Sequence, residues 1–268
     1  LIRYALPKFT FSLCVYFKEQ ALTCNRYYIP YLKPFINISP DLHILEIGCG
    51  EGGNLLPFAK IGCHVTGLDL NTGRIKEAIS FFQQEGVKGE FLNIDIFDYK
   101  PSPKNSFNLI ILHDVIEHIA DKKLLLYTMK QYLTSRGIIF IAFPSWQMPF
   151  GGHQQICHNS LISHLPFIHL LPRCLYKKLL KLANESSNCI EELMHIYDTR
   201  TTIRLFENLI NTDYQILNRQ FWFINPHYET KFHLPSRKLW KGIEGLAFLR
   251  AFCSTSCWYI IKDKSLST

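Results

Sequence analysis

The stretch Glu46–Gly53 reads EIGCGEGG, and it satisfies two fingerprints at once. Gly48, Gly50 and Gly53 spell G-x-G-x-x-G, the turn that seats a dinucleotide pyrophosphate on a helix N-terminus. Gly48, Gly50 and Gly52, preceded by Glu46, spell E-x-G-x-G-x-G instead. A pyrophosphate gains nothing from a carboxylate at Glu46, whereas a cationic or amine-bearing ligand does. The apolar run HILEI (43–47) leads straight into this loop, so the glycines mark a tight strand-to-helix turn where a ligand meets bare backbone.

Outward from the loop, short apolar runs alternate with amphipathic segments. Strands are expected over 43–47, 64–70, 88–95, 107–114 and 138–143, with helices over 54–61, 72–86 and 122–133. Asn71 and Thr72 are suited to cap the second of these helices, which ends near Gly86. Strand–helix alternation at this spacing implies right-handed crossovers and a parallel sheet covered on both faces. Residues 1–40 lack the alternation, are aromatic, and are broken by Pro7, Pro30 and Pro34. They read as a helical cap, and 41–145 as the ligand-binding core. Residues 146–212 read as a helical lid cut by Pro166 and Pro172. Strands return over 214–224 and 253–263, so 213–268 closes the core, with a second excursion over 225–252.

A chain of 268 residues that is 47% hydrophobic and 19% charged can bury a sizeable core and is not disordered. Its formal charge of +7 is spread along the chain; no basic arm indicates nucleic-acid binding. Nine scattered cysteines without a CxxC pair read as reduced thiols of a cytoplasmic protein. No apolar run reaches the roughly 20 residues that span a bilayer. The chain opens at Leu1 without Met, which leaves an N-terminal signal open.

Asp69, 17 residues after Gly52 at the end of the second strand, can accept both hydroxyls of a ribose. Asp95 is placed to meet an adenine amino group, with the Ile96 backbone beside the ring. Together, ILEIGCGEGG, GLDL, FLNIDIF, FNLIILHDVIEHI and GIIFIAFPSW resemble, in order and spacing, the motifs of class I S-adenosylmethionine-dependent methyltransferases. The likeness covers residues 42–145. It implies a doubly wound, Rossmann-like, seven-stranded, mostly parallel α/β sheet with helices on both faces and a last antiparallel strand. It further implies that Glu46, Gly48, Cys49, Gly50 and Gly52 cradle the methionine part of S-adenosyl-L-methionine. By the same likeness Asp69 binds ribose, Leu70, Asp95 and Ile96 bind adenine, and His113 and Asp114 line the floor. The product would be S-adenosyl-L-homocysteine.

DVIEHIAD (114–121) resembles the V-x-E-H segment of the branch containing ubiquinone-pathway O-methyltransferases. Asp114, Glu117 and His118 match an acid-x-x-Glu-His pattern that holds a divalent metal in some of its members. The reading adopted gives Glu117 and His118 an orienting role and names no metal. PFGGHQQICH (149–158) follows the fifth strand and suits a mobile lid over the acceptor; His153, Cys157 and His158 lack a zinc spacing. His118 and His153 are the candidate general bases. Trp146 is suited either to stack on an acceptor or to pack under the lid. Leu161–Lys181, apolar on one side and basic on the other, is suited to pack on the core or to touch a membrane surface transiently. The expected reaction is methyl transfer to a small-molecule acceptor, a hydroxyl by preference, by a monomer or homodimer. A lipid-like, RNA or protein acceptor, NAD-dependent chemistry, and a non-catalytic cofactor-binding protein are the alternatives.

Overall fold

The computed structural model describes residues 9–100 and 106–266; the first eight residues of the expected N-terminal cap lie outside that set. In chain order the strands are β1 (His43–Ile47), β2 (His64–Leu68), β3 (Glu90–Leu92), β4 (Phe107–His113), β5 (Leu133–Phe143), β6 (Tyr214–Ile224), β7 (Arg237–Lys238) and β8 (Ser256–Asp263). They form one sheet in the order β3-β2-β1-β4-β5-β8-β6-β7. β1 to β5 pair in parallel, and β8 runs antiparallel between β5 and β6. The doubly wound sheet expected from the alternation is therefore present, with eight strands rather than seven. The extra one is the two-residue β7, paired to the outer edge of β6 and too short to show any periodicity in sequence.

The helices are α1 (Phe9–Thr23), α2 (Ile29–Leu32), α3 (Leu56–Ile61), α4 (Thr72–Gln84), α5 (Lys122–Tyr132), α6 (Ser160–His164), α7 (Arg173–Leu182), α8 (Ser187–Thr199), α9 (Ile203–Ile210), α10 (Pro226–Phe232), α11 (Lys241–Glu244) and α12 (Ala247–Cys253). A π-helical turn, Cys24–Tyr28, joins α1 to α2. One face of the sheet packs Ile44, Ile111 and Phe140 against Phe17, Tyr28 and Leu32 of the N-terminal helices and Phe58 and Phe82 of α3 and α4. The other packs Ile47, Leu112 and Ile141 against Leu125 and Met129 of α5 and Phe206 and Ile210 of α9. The central strands are hydrophobic on both sides because both sides are covered. Burial of each such side chain contributes about 1.5–3 kcal/mol.

Local chemistry sets the helix ends. The Asn71 side chain accepts from the N–H groups of Gly73 and Arg74 at the start of α4, and Asp121 caps α5 through Leu124 N–H. α3 stops at Gly62, whose φ of 102° only glycine adopts cheaply. The Gly-rich loop delays α3 to Leu56, two residues later than the sequence pattern suggests, because 48–54 form the turn itself.

Residues 144–212 leave the end of β5 and fold over the core. α7 and α8 pack on each other around Tyr176, Leu180, Leu193 and Met194, and Pro166 and Pro172 split the segment into short helices. α8 is fastened to the loop after β4. Thr199 Oγ1 donates to the Glu117 carbonyl at 2.6 Å, and Lys122 Nζ donates to the carbonyls of Ile119, at 2.7 Å, and Thr199.

Gly52 has φ of 81°, and a Cβ there would lie 2.9 Å from the Phe91 ring and 3.1 Å from Phe82, whereas Gly86 has φ of 68° in open space. Gly52→Ala adds overpacking (about 1–3 kcal/mol) to left-handed strain (about 1–2 kcal/mol), while Gly86→Ala carries the strain alone. Urea denaturation should rank Gly52→Ala as the more destabilised; equal midpoints would contradict this packing.

Candidate functional site

The parallel strands all end on one edge of the sheet, and the loops leaving that edge carry the site. Gly48, Gly50 and Gly52 take φ of 69°, 55° and 81°, so the loop after β1 folds back tightly. A Cβ on Gly48 would sit 2.4 Å from Val115 Cγ2, which presses this loop against the one after β4. Glu46, at the end of β1, is 1% exposed. Its Oε1 accepts from Asn54 Nδ2 at 2.8 Å, while Oε2 has no hydrogen-bond partner among the described residues. Burial raises its carboxyl to about 8, opposed by the Asn54 hydrogen bond and reinforced by the negative charge of Asp69.

Asp69 clamps the loop. Its Oδ2 accepts from Gly50 N–H at 2.9 Å and its Oδ1 from Asn71 N–H at 2.7 Å. Leu70 beside it is 70% exposed, an apolar side chain held at the rim. Asn93 Nδ2 donates to the Asp69 carbonyl, and Asn93 Oδ1 accepts from Thr72. Asp95 Oδ1 accepts from Phe97 N–H at 3.0 Å, making a local turn.

The structure does not bring every predicted side chain to the cavity edge. Cys49 is buried with its sulfur packed toward β2, where a Cβ on Gly67 would meet it at 2.6 Å; it offers only backbone to a ligand. Ile96 is buried in the core, and its carbonyl accepts from the Tyr132 hydroxyl. Gly53, which the comparison of fingerprints makes superfluous, is required for another reason. A Cβ there would lie 2.6 Å from the Phe17 carbonyl of α1.

At the end of β4, His113 Nε2 lies 2.7 Å from the Tyr28 hydroxyl, and Asp114 adopts φ of 52°, a conformation non-glycine residues seldom hold. Beyond it Glu117 is 4% exposed, and neither carboxylate oxygen has a hydrogen-bond partner among the described residues. Glu117 Oε1 is 4.0 Å from both His118 Nε2 and His153 Nε2; the two rings meet edge to face at 5.2 Å. Burial, then the charge of Asp114, raises the Glu117 carboxyl. Burial, then repulsion from His153, pushes His118 down to about 3. His153 is lowered by burial, with Asp114 acting in the opposite direction. Burial thus favours the uncharged form of all three groups. The ligand atoms of Glu117, His118 and His153 all lie within 4.8 Å of one another, a donor set that a divalent ion such as zinc can also take. Asp114 is outside that trio. Cys157 groups instead with Glu185 and Cys189 inside the lid.

His153 is placed by an unusual turn. It has φ of 59° and follows Gly151 and Gly152, where a Cβ would lie 2.3 Å from the Trp146 carbonyl and 2.2 Å from His169 Cβ. Close packing, rather than hinge freedom, demands this glycine pair. Trp146 is buried edge-on against His169 and Tyr197, packing beneath the lid.

Sequence reading missed His227 and Tyr228. Asn225 caps α10, which lies against α1 through a Thr230–Thr23 contact and against the following π-helical turn through Glu229–Arg26. That position brings the His227 and Tyr228 side chains into the field of Asp114. His227 Nε2 is buried and has no hydrogen-bond partner among the described residues; burial, then His113, pushes its pKa down to about 4. The available signal was a His-Tyr pair just after a strand that ends on the same edge.

A family model described as "Methyltransferase domain" matches residues 38–220. Among curated relatives, the ubiquinone biosynthesis O-methyltransferase of Rickettsia canadensis (strain McKiel) is 28% identical over 116 residues, 43% of this chain and 48% of that protein. Phosphoethanolamine N-methyltransferase 1 of Arabidopsis thaliana is 34% identical over 108 residues, 40% of this chain and 22% of that protein. The chain thus spans about half or less of the length of these relatives. The structure is similar to a putative sarcosine dimethylglycine methyltransferase from Galdieria sulphuraria, with TM-score 0.58, 14% identity and coverage of 91% of this chain and 86% of that one. At that identity the likeness concerns the fold.

Two predictions follow from Glu46 and Asp69. A ligand ammonium beside Glu46 favours its ionised form, so binding expels a proton below pH 8. Affinity for S-adenosyl-L-homocysteine should rise up to about tenfold per unit between pH 6 and 8 and level off above. Calorimetry would read this slope, and its persistence in Glu46→Gln would refute the assignment. Asp69→Ala removes two charge-assisted bonds of about 1.5–3 kcal/mol each together with the carboxylate expected to accept the ribose. Binding should weaken at least about a hundredfold, and wild-type affinity in this variant would overturn the site map.

Proposed function

The chain belongs to the methyltransferase-domain family of class I S-adenosylmethionine-dependent enzymes, and from that premise we propose that it methylates a hydroxyl of a small-molecule acceptor. The observation that carries the reading is the pair of imidazoles, His118 and His153, each with its Nε2 4.0 Å from the buried Glu117 carboxyl. A hydroxyl acceptor must lose a proton during transfer, and a half-buried imidazole can take it. The ubiquinone relative is by name an O-methyltransferase, which agrees with oxygen as the acceptor atom; the Arabidopsis relative is by name an N-methyltransferase.

The residues present fit the cofactor. Glu46 keeps a buried, unpartnered oxygen for its ammonium, the three positive-φ glycines leave room for its chain, and Asp69 and the exposed Leu70 face its nucleoside. When bound, S-adenosyl-L-methionine supplies a methyl activated by positive sulfur. This chain's own residues would orient the acceptor hydroxyl and take its proton on an imidazole. His153 is the better base of the two. Asp114 favours its charged form, whereas every charge acting on His118 opposes protonation. His118 then holds the His153 ring edge-on, and Glu117 stands between them. The lid and α10 exclude water and align the acceptor, which is most of what an activated methyl requires.

Radiolabelled methyl transfer into cell extract, fractionated into small-molecule, lipid, RNA and protein pools, tests the reading. Label is expected in the small-molecule pool. His153→Ala should lower turnover by about 10²–10⁴-fold with cofactor affinity unchanged, and His118→Ala should lower it less. Label confined to RNA or protein, or none in any pool, would refute the proposal. Activity abolished by a chelator and restored by a divalent ion would reassign Glu117, His118 and His153 to metal binding.

A further inference from the structure

The two excursions that cover the site leave the same edge of the sheet, one from Phe143 at the end of β5 and one from Ile224 at the end of β6. They meet where the Phe167 and Phe252 rings lie 6.1 Å apart, and Phe252 continues to Phe248 at 4.7 Å. Along the two excursions the chain exposes what a solvated surface normally hides. Trp240 is 74% and Phe248 72% exposed, and Phe232, Leu234, Leu246 and Leu249 are exposed with them. Leu165, Phe167, Leu170 and Leu171 of the lid are exposed on its side of the junction. The other three tryptophans are buried, so the exposure of Trp240 is particular to this face.

Cations accompany these side chains. Lys231, Arg237, Lys238 and Lys241 are exposed, and none forms a salt bridge with a carboxylate among the described residues. Of the acidic groups in the same segment, Glu229 is paired with Arg26, which leaves Glu244 as the opposing charge. We propose that this face, residues 231–252 with the lid loop 165–171, docks peripherally on an anionic lipid surface, with Trp240 and Phe248 entering the headgroup–acyl boundary. Charge decides between occupants. A two-fold contact with a second copy would set the four cations against themselves, whereas an anionic bilayer complements them. The aliphatic share of the face, Leu234, Leu246 and Leu249, suits acyl chains rather than nucleic-acid bases. None of the described helices is long and apolar enough to cross a membrane; the contact proposed is one of side chains at the interface. It would turn the edge that bears the site toward the bilayer, and it holds whatever the acceptor is.

Co-sedimentation of the full chain with phosphatidylcholine vesicles, with and without phosphatidylglycerol, tests this in the absence of any acceptor. Binding is expected only with phosphatidylglycerol, weakening as salt is raised, with a blue shift of the Trp240 emission. Lys238→Gln/Lys241→Gln should weaken it about thirtyfold, at about 1 kcal/mol for each lysine near the surface. Trp240→Ser/Phe248→Ser should abolish it while S-adenosyl-L-homocysteine binding, measured in parallel, stays at the wild-type value. Absence of binding to phosphatidylglycerol vesicles overturns the proposal, as does binding that survives the Trp240/Phe248 substitutions. Sedimentation of the wild type as a dimer that the same substitutions dissociate also overturns it, in favour of a second copy. None of these outcomes bears on methyl transfer, so the two proposals fail separately.

Discussion

Five parallel strands in one sheet must all finish at the same edge, and every functional feature of this protein is a consequence of that constraint. The ends of β1, β2 and β4 place Glu46, Asp69 and Asp114 at one edge of the sheet although the sequence separates them by up to 68 positions. The backbone groups that end there have no strand partner ahead of them, so side chains must satisfy them. Asp69 does so for Gly50 and Asn71, and in doing so joins the glycine turn to the end of β2. Loops leaving β5 and β6 rise from the same edge, which is why the lid and α10 cover the site rather than the opposite end of the sheet.

Carboxylates and an imidazole nitrogen lie buried there without hydrogen-bond partners among the described residues: Glu46 Oε2, both oxygens of Glu117, and His227 Nε2. Leaving such groups unsatisfied costs about 1–3 kcal/mol each, more for a charge. Other buried groups also lack a hydrogen-bond partner among the described residues, Glu51, Gln154 and His169 among them. Glu117 and His227 both feel the charge of Asp114, and buried groups that converge in this way suit a ligand's complementary groups. The same burial sets protonation, because in a dry site the uncharged form wins: Glu46 and Glu117 move up, while His118, His153 and His227 move down.

Much of this was readable in order along the chain, and the exceptions have physical causes. HILEI, HVTGL and FNLIILH announce buried parallel strands because nothing but apolar residues survives between two helix layers. Asp69 was legible because its distance from the glycine loop is set by one helix and one strand. Cys49 and Ile96 were placed correctly along the chain, yet their side chains face the core, since alternation of a turn's side chains is not periodic. Gly53 and the Gly151–Gly152 pair are glycines because of neighbours far away in sequence, Phe17 and His169. His227 lies more than a hundred positions from Asp114, beyond any local pattern.

Residue order by itself determined the parallel sheet, the glycine loop after β1 and the carboxylates near the ends of β1 and β2, because each follows from local periodicity and short-range spacing. Tertiary structure alone decided that Glu117, His118 and His153 form one cluster, that α10 brings His227 into the field of Asp114, and that two distant excursions meet at Phe167 and Phe252. These depend on which loops meet above the edge, and that is settled by long-range packing across the sheet rather than by any neighbour in sequence.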